Sequence, residues 1–438
     1  MPDSSGTGGS EAVRALIYSH GTRGDMQPYL ALAFALNQAG HSARLVGPRL
    51  YGPMASEYGV DFAPVEDEAV RLHQRPDVRE ILVNSEGKGD AYDRARERIF
   101  AEIFPRLYPI MLKDMWDAAA EGADVVIHSH SSRQAVHQIA EKLGVPHVLA
   151  SLYPHFVASR RYPPEVGTFE QRPDNLERHA RANDNPIKGP LAEMFGRWRA
   201  DVLGLPPRDG ALDNRFRADG TPAPVLLGFS PHVIEPADDW PEWVHTTGFW
   251  MLPSSARWQP SERLLQFLDD GDAPVFFGFG SHMGTDPEEV GRIVLEVVRR
   301  TGVRAIVVTG WGGASIPNPP ENVLVEDEIP YDWLFPRVRA VVHPGGTGAH
   351  NTALRAGVPQ VICPFQKEAL MWADHLHGLG VAPPPVPHRH LTADTLTKAV
   401  DQAVKDPGIA RAVDRLARLT SVENGAENAV RVLEKIVS

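Results

Sequence analysis

Residues Val341 to Glu368 read VVHPGGTGAHNTALRAGVPQVICPFQKE, and the rest of the chain is arranged around this stretch. The apolar run before the first glycine predicts a buried strand over 339–343, followed by a glycine-rich turn and a helix over about 347–356. A Gly-Val-Pro sequence then ends the helix, and a second apolar run predicts a strand over 360–365. A glycine turn between strand and helix lets the backbone approach a ligand closely, and the first N–H groups of the helix point at it. The pattern therefore predicts an anion site suited to a diphosphate.

His343 ends the first of these strands, and two roles are open to it. The ring can donate a hydrogen bond to the anion, or carry a positive charge when protonated. It can equally be a buried structural histidine at a strand end. The residue alone favours neither role, whereas the glycines and the helix start together favour the functional one.

The stretch resembles the donor-binding signature of the family-one, GT-B-fold glycosyltransferases. That signature runs HHGGxGT, then RAGxP, then a strand that ends in Pro and an Asp-Gln pair. The matching residues are His343, Gly345, Gly346, Gly348, Arg355, Ala356, Gly357, Pro359 and Pro364. Three positions depart from it: Pro344 replaces the second His, Ala349 replaces the Thr, and Glu368-Ala369 replaces the Asp-Gln pair.

A second motif, GTRGDMQPYLALA from Gly21 to Ala33, resembles the opening motif G[ST]RGDxxPxxALA of bacterial natural-product (antibiotic) and sterol glycosyltransferases. The resemblance covers nearly the whole chain. It implies an α/β protein of the GT-B fold, with two Rossmann-like, doubly wound domains facing across a cleft. It also implies an inverting, metal-independent transfer of a sugar from a UDP- or dTDP-linked donor to a small-molecule hydroxyl.

Composition bounds these expectations. The chain has 438 residues, a formal net charge of −12 and 42% apolar residues, which describes an acidic globular protein of about two domains. An acidic balance without a basic cluster argues against a nucleic-acid partner. A single cysteine, Cys363, excludes an intrachain disulfide framework, and no apolar run is long enough to span a bilayer, so a cytoplasmic protein is expected.

Alternating strands and helices predict two parallel sheets, whose ligands gather at the carboxyl ends of the strands. The expected organisation is a disordered tail (1–12), an acceptor-binding domain (13–240) with an insertion (about 157–221), a linker (241–262) and a nucleotide-sugar-binding domain (263–422). By the resemblance, a last helix (423–438) crosses back onto the first domain. A long helix from about Tyr92 to Ala120 is expected to bend or break at Pro105 and Pro109.

Two side chains after the first strand are candidates for the general base that takes the proton from the acceptor hydroxyl. Asp25 matches the acidic residue of the family motif and is the first choice, and His20 is the second. Asp25 can also be read as a helix cap, since it lies where a helix begins. Arg23 is expected to be structural or to pair with Asp25. Ser129 and His130, after the strand DVVIH, are expected to face the acceptor.

The donor site is expected to use the backbone N–H groups of Gly346 to Ala349, together with His343. Its other expected members are Gly280 and Ser281 after the strand VFFGFG, Trp311 in a glycine loop, Ile329 beside the nucleotide base, the turn residues Gly345, Thr347 and Gly348, and Glu368 near the sugar. Trp311 can equally be a packed core tryptophan. Loss of the Gln at Ala369 suggests a donor sugar other than plain glucose.

The expected partners are thus a nucleotide sugar and a small acceptor, with no cofactor and no metal ligands, in a monomer or homodimer. Two rival functions stay open. One is a nucleotide-sugar epimerase or hydrolase on the same fold, and the other is a non-catalytic relative that binds a partner enzyme.

Overall fold

The computed structural model describes residues 12–72, 78, 90–183, 189–208, 215–217, 219–255, 257–280, 286–310 and 313–437. The expected tail, 1–12, lies almost wholly outside this range. In the described chain the strands form two separate parallel sheets, one in each half.

The first sheet has seven strands in the described residues, in the order β3-β2-β1-β4-β5-β6-β7. Apolar β-branched runs form its centre and are buried on both faces, as expected when helices cover both sides. The strands are β1 (Arg14–Tyr18), β2 (Ser42–Pro48), β3 (Asp61–Val65), β4 (Val125–His128), β5 (His147–Ser151), β6 (Val225–Leu227) and β7 (Val244–Thr246). The helices are α1 (Arg23–Gln38), α2 (Gly52–Glu57), α3 (Glu68–Arg71), α4 (Asp90–Asp117), α5 (Arg133–Leu143), α6 (Asn175–Asn183) and α7 (Pro190–Arg197).

The second sheet has five strands in the described residues, in the order β10-β9-β8-β11-β12. They are β8 (Val275–Gly278), β9 (Ala305–Val308), β10 (Val323–Glu326), β11 (Ala340–His343) and β12 (Gln360–Ile362). The helices are α8 (Glu262–Asp269), α9 (Pro287–Thr301), α10 (Tyr331–Leu334), α11 (Thr347–Ala356), α12 (Lys367–Gly378), α13 (Ala393–Lys405), α14 (Pro407–Thr420) and α15 (Gly425–Val437).

The strand order puts the functional candidates at equivalent edges of the two sheets. In the first sheet Tyr18 of β1 pairs with His128 of β4, so the segments after these strands, which hold His20 and Ser129, emerge side by side. In the second sheet His343 of β11 pairs with Ile362 of β12. Both sets lie at carboxyl ends of parallel strands, where ligands bind in such folds.

The last helix, α15, packs against the first half of the chain. Its apolar face, Ala429, Val430 and Leu433, is buried in the same core as residues of β1 and α1. Arg355, at the end of α11, holds the turn that leads into α15 by donating to the carbonyl oxygens of Thr420 and Glu423 at 2.8 and 2.9 Å. This arginine of the RAGxP motif is therefore a structural residue.

Three local features differ from the sequence expectations. The strand β7 lies inside the expected linker 241–262. Its three half-buried residues show no clear alternation of apolar and polar side chains, so the sequence pattern did not predict it. Helix α4 is assigned as one continuous helix through both prolines, with buried residues such as Leu107 and Met111 packed beside the first sheet. Strand β12 ends at Ile362 rather than 365, since Pro364 has no N–H to donate to a neighbouring strand.

Between β5 and β6, in the described part of 152–224, the chain forms helices and turns and no strand except an isolated bridge between Phe216 and Pro222. A search of the described helices finds none that combines the length and the apolar character needed to cross a bilayer.

Candidate active site

Side chains from the two halves meet across the cleft between the sheets. Arg23 at the start of α1 forms an ion pair with Glu328, in the segment after β10. Tyr153, two residues after β5, donates a hydrogen bond to Oε1 of Glu368 at the start of α12. The carboxyl ends of the two sheets therefore face each other. Arg23 does not pair with Asp25, contrary to one of the two roles expected for it.

Asp25 is held by the turn that precedes α1. Its Oδ2 accepts hydrogen bonds from the backbone N–H of Thr22 at 2.7 Å and from the Thr22 hydroxyl at 3.1 Å. Thr22 is the capping residue of α1 and Asp25 lies three positions later, so Asp25 is not itself the N-cap. A side chain at Gly21, where φ is +151°, would meet the carboxylate at 2.3 Å, which explains the glycine of the GTRGD motif.

The environment of Asp25 favours proton uptake. Burial raises the pKa of Asp25, and the two hydrogen bonds from Thr22 reduce the rise. From the sequence alone a helix N-terminus would make this carboxylate a weaker base. In the structure desolvation outweighs that effect, so Asp25 is a stronger base than an exposed aspartate.

His20, two residues after β1, is partly buried like Asp25. Burial lowers the pKa of His20 to about 4, against a smaller opposite effect of the Glu66 backbone and Asp67. In the described residues its Nε2 is buried and has no hydrogen-bond partner. The neutral ring is thus able to accept a proton. The groups that raise its pKa, the Glu66 backbone and Asp67, belong to the first half.

Ser129 and His130 are tied to their own surroundings. The Ser129 hydroxyl is 2.8 Å from the hydroxyl of Ser131, which in turn donates to the backbone oxygen of His20 at 3.0 Å. The His130 ring stacks on Phe156, with ring centroids 3.4 Å apart, and Arg133 donates to its Nε2 at 2.6 Å. Burial lowers the pKa of His130 to about 2, so the ring is neutral. These contacts make His130 a wall of the cleft rather than a proton carrier.

The glycine turn and α11 have the geometry that the sequence pattern predicts for an anion site. Gly345 has φ of +98°, and a side chain there would meet Ala369 at 3.0 Å. Gly346 and Gly348 are exposed, and built side chains would meet no atom within 4 Å, so this surface is open. No side chain among the described residues caps the start of α11. Its first N–H groups and the positive end of its dipole therefore face the open cleft.

One member of the expected set of N–H groups is already used. The N–H of Ala349 donates to the Gly346 carbonyl at 3.0 Å, as does that of His350 at 3.2 Å. The N–H of Ala349, which was expected to bind the anion together with those of Gly346 to Gly348, is therefore not available to it. The N–H groups of Gly346, Thr347 and Gly348 are the ones placed to bind an anion.

The His343 ring, expected among the donor-binding side chains, is enclosed by the protein. Its ring is 1% exposed. Nδ1 accepts a hydrogen bond from the Gly345 N–H at 3.1 Å, and Nε2 lies 2.9 Å from Oε1 of Gln360. The Gln360 amide in turn donates to the His350 carbonyl at 3.3 Å. Both ring nitrogens are thus engaged inside the protein, where the ring supports the turn, and a contact between His343 and the donor stays a prediction.

The remaining donor candidates are only partly described. Gly280, with φ of +64°, packs against Gly310 and Gly313 in the neighbouring loop. The Ile329 side chain is buried at 3% exposure in a core with Phe276 and Leu334, so only its backbone is available to a nucleotide base. Ser281 and Trp311 lie outside the described residues.

Glu368 and Tyr153 complete the site. Burial raises the pKa of Glu368, and the charge of Asp25 raises it further. The Tyr153 hydroxyl, which binds Glu368, also has a hydrogen bond with the side chain of Thr347, the first residue of α11, and this bond lowers the pKa of Tyr153. The Tyr153 hydroxyl of the first half therefore reaches both Glu368 and Thr347 of the second half. Sequence reasoning missed Tyr153, whose one signal is its place just after a strand.

Comparison with known proteins assigns both halves. Residues 15–160 match the glycosyltransferase family 28 N-terminal domain, and residues 264–435 match the erythromycin biosynthesis protein CIII-like C-terminal domain. The chain belongs to the GT-B glycosyltransferases. The family resemblance seen in the sequence is thereby confirmed.

The relatives found among curated proteins are sterol 3-beta-glucosyltransferases. One from Neosartorya fischeri is 30% identical over 97% of this GT-B chain, and one from Candida albicans is 30% identical over 94% of it. The chain spans only 29% and 27% of the lengths of these two relatives. Their names describe these relatives as enzymes that glucosylate sterols.

Solved structures confirm the fold class. The calicheamicin glycosyltransferase CalG4 superposes with a TM-score of 0.68 and 19% identity, over 97% of this chain and 98% of its own. The glycosyltransferase VinC, solved in complex with dTDP, gives a TM-score of 0.63 and 19% identity, over 97% of this chain and 99% of its own. The protein therefore has the GT-B architecture of two Rossmann-like domains.

Proposed function

We propose that this protein transfers a sugar from a UDP- or dTDP-linked donor to a hydroxyl of a small, largely apolar acceptor, with inversion and without a metal ion. The open N-terminus of α11 carries the proposal, because it is uncapped among the described residues and its first residue, Thr347, lies beside Tyr153 of the opposite half. The names of the curated relatives support a sterol-like acceptor, and the dTDP complex of VinC supports a pyrimidine diphosphate donor.

In the proposed reaction the acceptor hydroxyl loses its proton to Asp25, and its oxygen attacks the anomeric carbon of the sugar. The bond between that carbon and the distal phosphate oxygen breaks, and the diphosphate leaves with the electron pair. The N–H groups of Gly346, Thr347 and Gly348 stabilise the charge that develops on it. Attack from the face opposite the leaving group inverts the configuration.

Asp25 is favoured over His20 as the base because of its position. Its carboxylate is held at the start of α1 by Thr22, and its charge raises the pKa of both Tyr153 and Glu368, two residues that join the halves. His20 interacts with Glu66 and Asp67 of its own half. His20 is left with a supporting role in the same wall of the cleft.

The test is a transfer assay with UDP- and dTDP-sugars, a sterol or a hydroxylated natural product as acceptor, and EDTA throughout. We expect a glycoside that forms only with the acceptor present, and whose anomeric configuration is opposite to that of the donor. Free sugar or an epimer formed without acceptor would support the rival hydrolase or epimerase. A product that requires added divalent metal would contradict the mechanism.

A further inference from the structure

The Tyr153–Glu368 contact joins the acceptor half to the donor half at the junction of their chemistry. The Tyr153 hydroxyl also interacts with the side chain of Thr347, the first residue of α11, and the charge of Asp25 acts on both Tyr153 and Glu368. In the proposed reaction the sugar is the group bonded to the diphosphate and attacked by the acceptor. The side chains between cradle and base must therefore line the space that the sugar occupies.

Tyr153 is fixed in place by its own segment. Its backbone N–H donates to the Ser151 hydroxyl at 3.1 Å, and that hydroxyl donates to the Tyr153 carbonyl at 2.8 Å. Its ring centroid lies 6.3 Å from that of Trp372. Trp372 is four residues after Glu368 on α12, so both lie on the same face of the helix. Ring and hydroxyl are thus both directed at one face of α12.

The Tyr153 hydroxyl holds the Glu368 carboxylate in place, so that Glu368 can accept further hydrogen bonds. Burial raises the pKa of Tyr153, and the Glu368 charge raises it further, so the phenol stays protonated and donates. It uses only Oε1 of Glu368. In the described residues no protein group is recorded on Oε2, and a carboxylate accepts several hydrogen bonds.

We propose that Tyr153 is a positioning residue for donor-sugar recognition: it orients Glu368 so that the second carboxylate oxygen accepts hydroxyl groups of the sugar ring. The inference rests on the proposed function, and it makes recognition of the sugar depend on both halves. Ala369 cannot assist, because it is buried against Gly345 beneath the turn. The Tyr153 hydroxyl thus holds the Glu368 carboxylate, which in this chain is followed by Ala369 instead of the Gln of the family motif.

The experiment is a calorimetric titration of the full chain with UDP, UDP-glucose, dTDP and dTDP-glucose. Tyr153→Phe should leave the affinity for UDP and dTDP within about twofold, while the affinity for the nucleotide sugars falls by about five- to tenfold. Glu368→Gln should reduce the nucleotide-sugar affinity at least as much. Because both act through one contact, the double variant should be no worse than Glu368→Gln alone.

Tyr162→Phe is the matched control, since its hydroxyl donates to the Glu235 carbonyl, at 2.5 Å, and not to Glu368. It should change none of the four affinities. Equal losses for diphosphate and nucleotide sugar in Tyr153→Phe, or additive losses in the double variant, would overturn the inference. A wild-type protein that binds UDP or dTDP but gains nothing from an attached sugar would overturn it while leaving the donor site standing. Wild-type protein that binds none of the four would overturn both.

Discussion

At the residue scale, the chemistry depends on how one carboxylate is desolvated. Asp25 is partly buried, accepts two hydrogen bonds from Thr22 and has its pKa raised. A base acts only when deprotonated, so activity should fall as the pH drops through the pKa of Asp25. Because that pKa is raised, the acid limb of the rate profile should lie at higher pH than the ordinary value for aspartate.

Substitution of Asp25 by Asn tests this role. The amide oxygen can still accept from the Thr22 N–H, so α1 should stay folded, whereas turnover should fall by about 10² to 10⁴. Affinity for a nucleoside diphosphate should not change, because the diphosphate binds in the other half. The contrast is His20→Ala: a comparable loss there, with Asp25→Asn nearly active, would make His20 the base.

The residue scale also shows where sequence reasoning succeeds and where it stops. The glycine turn could be predicted, since only glycines allow the backbone of Gly345 to lie against Ala369. The role of His343 could not, because it depends on Gln360, which is 17 residues later and adjacent only through the pairing of β11 with β12. Tyr153 was missed for the same reason, since its partner is 215 residues away.

At the element scale, the segments with several agreeing signals were the ones predicted well. Helix α11 has the expected bounds because glycines flank both ends, and Gly357 at its end has φ of +70°. Helix α4 was expected to bend or break at its prolines, and it is not broken, because packing of its buried residues keeps it continuous. Strand β7 was missed because a three-residue edge strand carries too short a pattern.

The docking of α15 onto the first half gives a prediction at this scale. A side chain on Gly425 would meet the backbone carbon of Gly248 and the carbonyl oxygen of Phe249, each at 2.4 Å. Gly425→Ala should therefore push α15 away from its core and reduce the free energy of unfolding by about 1–3 kcal/mol, measured by urea denaturation.

The control is Gly378→Ala at the end of α12, where a side chain would meet no atom within 4 Å. That change should alter the unfolding free energy by less than about 1 kcal/mol. Equal effects of the two substitutions would show that the close approach of Gly248 and Gly425 does not hold the crossing helix in place.

At the scale of the whole molecule, the proposed reaction uses groups from both Rossmann-like halves. The first half contributes Asp25, His20 and Tyr153, and the second contributes the open start of α11 and Glu368. The fold class and the edge of each sheet that carries the site could be predicted from alternating patterns and two motifs. The pairs that close the cleft, Arg23 with Glu328 and Tyr153 with Glu368, could not, because they depend on how the halves are oriented.

The proposed function depends most on binding of the diphosphate of a pyrimidine nucleotide at the N-terminus of α11. The direct measurement is a calorimetric comparison of UDP and dTDP with uridine and thymidine, in EDTA, with ADP as the control that shares the diphosphate. Two or more N–H bonds to a charged phosphate, at ~1.5 kcal/mol each, predict that UDP or dTDP binds at least about a hundredfold more tightly than its nucleoside. ADP has the same diphosphate but a purine base, and it should bind more weakly than UDP or dTDP. Equal affinity for nucleoside and diphosphate, or a strict need for metal, would contradict it.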